Sequence, residues 1–83
     1  MYYVYLLKLD EIGGKEYYIG YSNNLKTRIE QHKRGDTKTT KGRNPKLIYY
    51  ECYNDKYLAL KREKSLKNSG SVYMGLMKRL NLK

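Results

Sequence analysis

Tyr18-Ile19-Gly20-Tyr21-Ser22-Asn23-Asn24-Leu25-Lys26-Thr27-Arg28-Ile29-Glu30-Gln31-His32 is the stretch from which the fold can be read. Its opening continues Glu16-Tyr17 as an aromatic and β-branched run, so residues 16–21 are expected as a strand. Ser22-Asn23-Asn24 offers side chains that accept from free N–H groups, the signature of a helix start. The helix is expected to run to about Arg34, where Gly35 stops it. Leu25, Arg28, Ile29 and His32 recur at spacings of three and four, so they share one helical face. Two of those four are polar, which an ordinary core face would not need.

Upstream, Tyr2-Tyr3-Val4-Tyr5-Leu6-Leu7 reads as a buried strand, and Asp10 to Gly14, ending in Gly-Gly, reads as a turn. The two strands are close enough to pair as an antiparallel hairpin. A turn centred between Glu11 and Ile12 would set Tyr5 opposite Tyr18. Downstream, residues 35–46 form a basic loop without periodicity, and Leu47 to Tyr53 reads as a third strand. Asn54 or Asp55 caps a helix reaching about Lys67, with Ala59, Leu60, Glu63 and Leu66 on one stripe. A turn at Asn68-Ser69-Gly70-Ser71 leads into a short basic helix over about 72–80, expected to pack on the sheet. The order β-β-α-β-α-α makes an α+β fold: a small three-stranded antiparallel sheet flanked by helices, one domain over residues 1–83.

The charge narrows the partner. A net +10 from 18 Lys and Arg against 8 Asp and Glu implies an anionic ligand. It is concentrated: residues 24–46 and 61–83 each carry net +6, whereas 1–23 and 47–60 carry −1 each. Such blocks suit nucleic acid better than general solvation. No apolar run nears the ~18 residues of a membrane span, and no signal pattern opens the chain. The expectation is a soluble, cytoplasmic protein with no membrane partner. Cys52, the one cysteine, is expected as a small core residue in a reducing compartment. With 11 Tyr and no Phe or Trp, the core must use phenols, and some will lie near a surface or a site.

Several residues stand out for chemistry, though each has a bland explanation. Glu63 sits on an apolar stripe, where a carboxylate needs a salt bridge or a bound cation. Arg28 suits bidentate contact with phosphate oxygens and His32 can pass a proton near neutral pH; singly, they would be a solvated Arg and a half-buried His. Tyr5 and Tyr18 can be plain core rings, and Gly20 a strand end or a place of close approach. Together these groups suit phosphodiester hydrolysis, which needs a base for water, a cation for developing charge and a metal for the leaving oxygen.

The ordered set resembles the GIY-YIG endonuclease superfamily, in particular its compact single-domain members, over nearly the whole chain. Tyr18-Ile19-Gly20 is the second half of the signature, and Tyr3-Val4-Tyr5 is the first, with Tyr3 where the family has Gly. Tyr5 precedes Tyr18 by 13 residues, a usual gap. Arg28 matches the catalytic Arg, His32 the supporting His or Tyr, and Glu63, within Ala59-Leu60-Lys61-Arg62-Glu63-Lys64, the metal ligand. Many members also carry an Asn well after the Glu; neither Asn68 nor Asn81 is a clear match.

The resemblance implies a metal-dependent endonuclease, with Mg²⁺ or Mn²⁺ on Glu63 and no small-molecule cofactor. It implies Tyr5 helping to deprotonate water, Tyr18 and His32 orienting it or relaying its proton, and Arg28 holding the scissile phosphate. A phenol with a pKa of ~10 would need cations nearby to act as a base. Lys26, Lys38, Lys41, Arg43 and Lys46 are expected to grip the nucleic-acid backbone, which carries no sequence information. The expected substrate is DNA rather than RNA, selected by structure rather than sequence, as in DNA repair, with targeting from a partner protein. The alternative is a non-catalytic nucleic-acid-binding module on the same scaffold, using the same cations and rings without Glu63.

Overall fold

A computed structural model describes residues 1–10 and 16–83 of the chain. The elements are β1 (Tyr2–Lys8), β2 (Tyr17–Ser22), α1 (Leu25–Arg34), β3 (Lys46–Tyr53), α2 (Lys56–Asn68) and α3 (Gly70–Arg79). The order is β-β-α-β-α-α, and the three antiparallel strands form one sheet in the order β2-β1-β3. The expected turn over Asp10 to Gly14 lies, from residue 11 on, outside the described residues.

β1 is the central strand, so its alternation governs both layers. Val4 and Leu6 turn to the face covered by α2 and α3, where they pack with Ile19, Ala59, Leu66 and Met77. Tyr5 and Leu7 turn to the face of α1, packing with Leu9 and against Tyr18, Leu25 and Ile29. The last helix does cover the sheet, through the buried Leu76 and Met77. On α2 the expected stripe is only partly inside: Ala59 and Leu66 are buried, whereas Leu60 is exposed.

Three expectations are corrected. Tyr5 lies opposite Gly20, and Tyr18 opposite Leu7, so the hairpin register differs by two residues from the expected Tyr5–Tyr18 pairing. α3 begins at Gly70 rather than near 72, because Ser69 ends α2 and its hydroxyl accepts from the Val72 N–H to cap α3. Cys52 is exposed, not a core residue. It pairs with Tyr3 and so shares the α1 face, towards the end of edge strand β3.

Glu51, beside Cys52, goes the other way. Its carboxylate accepts from the Arg62 guanidinium, at 2.9 Å from both Nε and Nη2, and from the Tyr49 and Tyr53 hydroxyls at 2.6 Å. Burial favours the neutral acid, but these hydrogen bonds outweigh it and hold the carboxyl below its ordinary value. Arg79 donates to the Tyr49 hydroxyl at 2.8 Å. The cluster ties β3 to α2 and α3, and so fixes the sheet that carries the other face.

Candidate active site

The α1 face concentrates the unusual polar groups. Asn24 caps α1 by accepting from the Thr27 N–H, and Gly35 ends it in a left-handed conformation at φ 80°. Between those stops His32 is carried inward on the face shared with Leu25 and Ile29, and only 1% of it is exposed. Its Nε2 is 2.8 Å from the Tyr5 hydroxyl. The rings of Tyr5, Tyr18 and His32 form a triangle, with centroids 6.4, 5.6 and 5.2 Å apart at tilted and edge-on angles.

Gly20 makes this triangle possible. A Cβ built there would overlap the Tyr5 ring and its hydroxyl. The phenol lies across the bare backbone of the residue it pairs with. This is the close approach that glycine alone allows in a strand. Gly20→Ala is therefore expected to push the Tyr5 ring aside and break its bond to His32. The cost should be about 1–3 kcal/mol of stability, typical of overpacking a filled site, seen as a lowered melting temperature and loss of the Tyr5–His32 contact in a structure of the variant.

The other ring nitrogen of His32 exposes a residue that sequence reasoning missed. Nδ1 is 2.8 Å from the Thr40 hydroxyl, and Thr40 is fully buried. That hydroxyl donates in turn to the Thr37 carbonyl at 3.4 Å. A hydroxyl whose proton is given to a carbonyl must accept from its other neighbour. With the Thr40 proton on that carbonyl, His32 carries its own proton on Nδ1, and bare Nε2 accepts from the Tyr5 hydroxyl. Among the described residues no buried side-chain polar atom lacks a partner.

Electrostatics sharpens the picture. Burial pushes the Tyr5 phenol well above its ordinary value; Tyr18 and Glu63 add to this, and Arg28 opposes it without overcoming it. Tyr5 is therefore protonated at neutral pH. Burial, then the Arg28 cation, push His32 below its ordinary value, so it is neutral. Arg28 is exposed on α1, while Glu63 comes from α2, on the opposite layer. Both act on the Tyr5 phenol. Tyr5 is thus the common point: Tyr18, Arg28 and Glu63 act on its phenol, and His32 is hydrogen-bonded to it.

Glu63 is half-buried and forms a salt bridge with Lys67, one turn on, at 3.1 Å. Among the described residues no three His, Cys, Asp or Glu side chains stand together as a metal cage. One carboxylate fits a hard cation that keeps most positions for water and phosphate, as Mg²⁺ does, and does not fit a closed zinc site. A cleft of about 760 Å³ runs between β2 and the α2–α3 junction, lined by Tyr18, Thr39, Lys67 and Asn68 among others. Asn68, though not Asn81, shares this cleft with Tyr18. Of the expected backbone-gripping cations, Lys26, Lys38, Lys41 and Lys46 are exposed. Arg43 also does structural work, donating through Nε and Nη2 to the Asp10 carbonyl at 2.9 and 2.6 Å.

The sequence profile of the GIY-YIG catalytic domain matches residues 1–78. The chain belongs to the GIY-YIG family. Among its GIY-YIG relatives, a UPF0213 protein of Clostridium perfringens is 42% identical over 69 residues, 81% of this chain and 71% of that protein. UPF0213 proteins of Staphylococcus aureus are 40% identical over 80% of this chain and 79% of theirs. One from Haloquadratum walsbyi is 33% identical over 81% and 74%. No solved structure matches. Within the GIY-YIG signature, the geometry gives its last glycine a reason: Gly20 is the floor on which the Tyr5 phenol lies. It also shows what the departure at the first glycine does, since Tyr3 leans edge-on against Tyr50. Membership brings a nuclease-type function acting on nucleic acid. Among the described residues no helix is long and apolar enough to cross a membrane.

Proposed function

We propose that this chain, one domain over residues 1–83, is a divalent-cation-dependent endonuclease that hydrolyses phosphodiester bonds in DNA, choosing its target by strand shape rather than base sequence. The observation that carries the reading is the buried hydrogen bond between the Tyr5 hydroxyl and His32 Nε2, at 2.8 Å, with Arg28 and Glu63 both acting on the Tyr5 phenol. A shape-selective choice agrees with exposed cations suited to backbone phosphates and with the lack of a recognition helix among the described residues. A partner protein can supply targeting. A lone exposed thiol with no disulfide partner suits the cytoplasm.

Water attacks phosphorus, the bond to the 3′ oxygen breaks, the leaving oxygen takes a proton from solvent water, and a 5′ phosphate and a 3′ hydroxyl result. A free Tyr5 phenolate is a poor candidate for the base, because burial raises its pKa. Instead the Tyr5 oxygen takes the proton of water while its own proton passes to His32 Nε2. The imidazolium so formed keeps its Nδ1 proton on Thr40. Tyr18, edge-on to His32, limits where the water can sit. Arg28 binds the non-bridging oxygens and opposes their growing charge. Glu63 would hold Mg²⁺ or Mn²⁺, which when bound supplies positive charge beside the leaving oxygen.

The test is a panel of labelled single-stranded, duplex, nicked, flapped and four-way DNAs, with RNA counterparts, incubated with Mg²⁺, Mn²⁺ or EDTA. Metal-dependent cutting of DNA, with rates set by strand shape, is the expected result. Salt-sensitive binding with no cutting in any arm would replace the nuclease with a non-catalytic binding module.

Thr40→Val provides an internal check on the relay. Valine keeps the volume but leaves the buried Nδ1 proton without an acceptor, at a cost of about 1–3 kcal/mol. His32 is the only histidine in the chain, so its imidazole nitrogens can be followed by NMR without ambiguity. In the wild type the signals should show protonated Nδ1, with a titration midpoint below that of a free histidine. In Thr40→Val the tautomers should mix and cleavage fall about tenfold, whereas Thr40→Ser should retain both. A wild-type imidazole protonated on Nε2 would rule out the relay as drawn.

A further inference from the structure

On the α1 face, beside the proposed site, an aromatic pair has no part in the relay. Tyr50 pairs directly with Tyr5 across β1 and β3, so their side chains leave the same face as neighbours. Yet Tyr5 is buried and Tyr50 is 53% exposed. Tyr3, two residues before Tyr5, meets Tyr50 edge-on with ring centroids 6.0 Å apart and planes 63° apart. That contact restrains the exposed ring. The pair forms the floor of an open cleft of about 300 Å³ whose wall is Asn23, Asn24, Leu25 and Lys26, the entry to α1. Lys26 brings a cation to the rim, and Arg28 lies one turn on from Leu25, on the face that these two share.

We propose that the Tyr3–Tyr50 cleft is a nucleobase-stacking subsite: it takes one unpaired base next to the scissile phosphate, with Tyr50 as the stacking surface and Tyr3 as its brace. This deepens the nuclease reading and rests on it for the position of the phosphate. A strand whose phosphate lies at Arg28 and Tyr5 brings an adjoining base over the sheet face that Tyr50 occupies. In that position an exposed phenol offers a π surface, which any base can use, with a lysine at hand for the neighbouring phosphate. A base inside a duplex is already stacked on both sides and cannot use it. The subsite therefore favours flaps, loops and single strands over intact duplex, and it does so without reading sequence. Tyr57 is the natural comparison: it is more exposed, at 71%, but lies on α2 away from this cleft.

The experiment is equilibrium binding in EDTA, where nothing is cut, of a fluorescent single strand and of the matching duplex. Wild type, Tyr50→Ala, Tyr50→Phe and Tyr57→Ala are compared, each checked for its melting temperature. Tyr50→Ala is expected to weaken single-strand binding about tenfold and leave duplex binding unchanged. Tyr50→Phe and Tyr57→Ala should match wild type on both. The slope of affinity against salt should not change, since no phosphate contact is removed. Replacing bases one at a time by abasic sites should find a position that costs the wild type about the same factor and costs Tyr50→Ala nothing. Equal losses on single strand and duplex, a flat abasic scan, or no loss in Tyr50→Ala would each overturn the subsite while leaving the nuclease reading intact. Failure of the wild type to bind either nucleic acid would overturn both.

Discussion

Arg28→Ala is expected to slow phosphodiester cleavage about a thousandfold, the usual scale for removing a group that faces developing charge in a transition state. The residue is exposed, so its loss should leave the melting temperature near that of wild type. Two further changes should accompany the loss of rate. The cation pushes the His32 pKa down, so its removal should move the His32 titration upward. It also opposes the rise of the Tyr5 phenol, so that group should move further from ionisation. Arg28→Lys should recover only part of the rate, because a point charge cannot hold two phosphate oxygens at once. Single-turnover cleavage with an NMR titration of His32 measures all of this. An Arg28→Ala protein that cuts at the wild-type rate would remove Arg28 from the site.

Glu63→Ala should abolish cutting in any divalent cation, a loss of at least a thousandfold, and should equal the effect of EDTA on the wild type. The fold should tolerate it. The substitution removes an i,i+4 pair with the half-exposed Lys67, worth a few tenths of a kcal/mol. Binding to nucleic acid in EDTA should strengthen slightly, because a negative charge has left the surface that meets phosphate. Loss of cutting with binding retained separates a catalytic carboxylate from a structural one. Metal-dependent cutting that survives Glu63→Ala would mean that the cation is held elsewhere.

The secondary structure was legible because the chain punctuates its elements with chemistry. Asn24 and Gly35 bracket α1, and Asp55 starts α2 by accepting from the Tyr57 N–H. The hairpin register was not. A slip of two residues returns every side chain to its own face, so alternation cannot distinguish Tyr5 opposite Tyr18 from Tyr5 opposite Gly20. What distinguishes them is volume: the phenol needs a residue without a side chain beneath it. Cys52 was misplaced because Leu47 to Tyr53 is apolar or aromatic at nearly every position and shows no clear alternation. The one acid there, Glu51, is the residue that turns inward, held by Arg62 from another element.

Within the site the same contrast holds. Arg28, His32 and Glu63 announced themselves as polar groups on apolar helical faces. Thr40 did not. It lies in a loop without periodicity among Thr37, Thr39 and several lysines, and nothing local tells a buried hydroxyl from a wet one. Only the approach of α1, which brings His32 Nδ1 to it, does so. Tyr50 was equally silent, because one more tyrosine among 11 carries no signal until its exposure is known.

The alternation of β1 has a consequence for how such a chain can change over generations. Val4 and Leu6 answer to the packing of α2 and α3, while Tyr3 and Tyr5 answer to the opposite layer. Selection for the α2–α3 core and, on the proposed reading, selection for what the protein handles therefore act on interleaved positions of one strand. On the stacking proposal, exchanging Tyr3 for glycine, or Tyr50 for a smaller residue, would alter the substrate while leaving the α2–α3 side of the strand untouched.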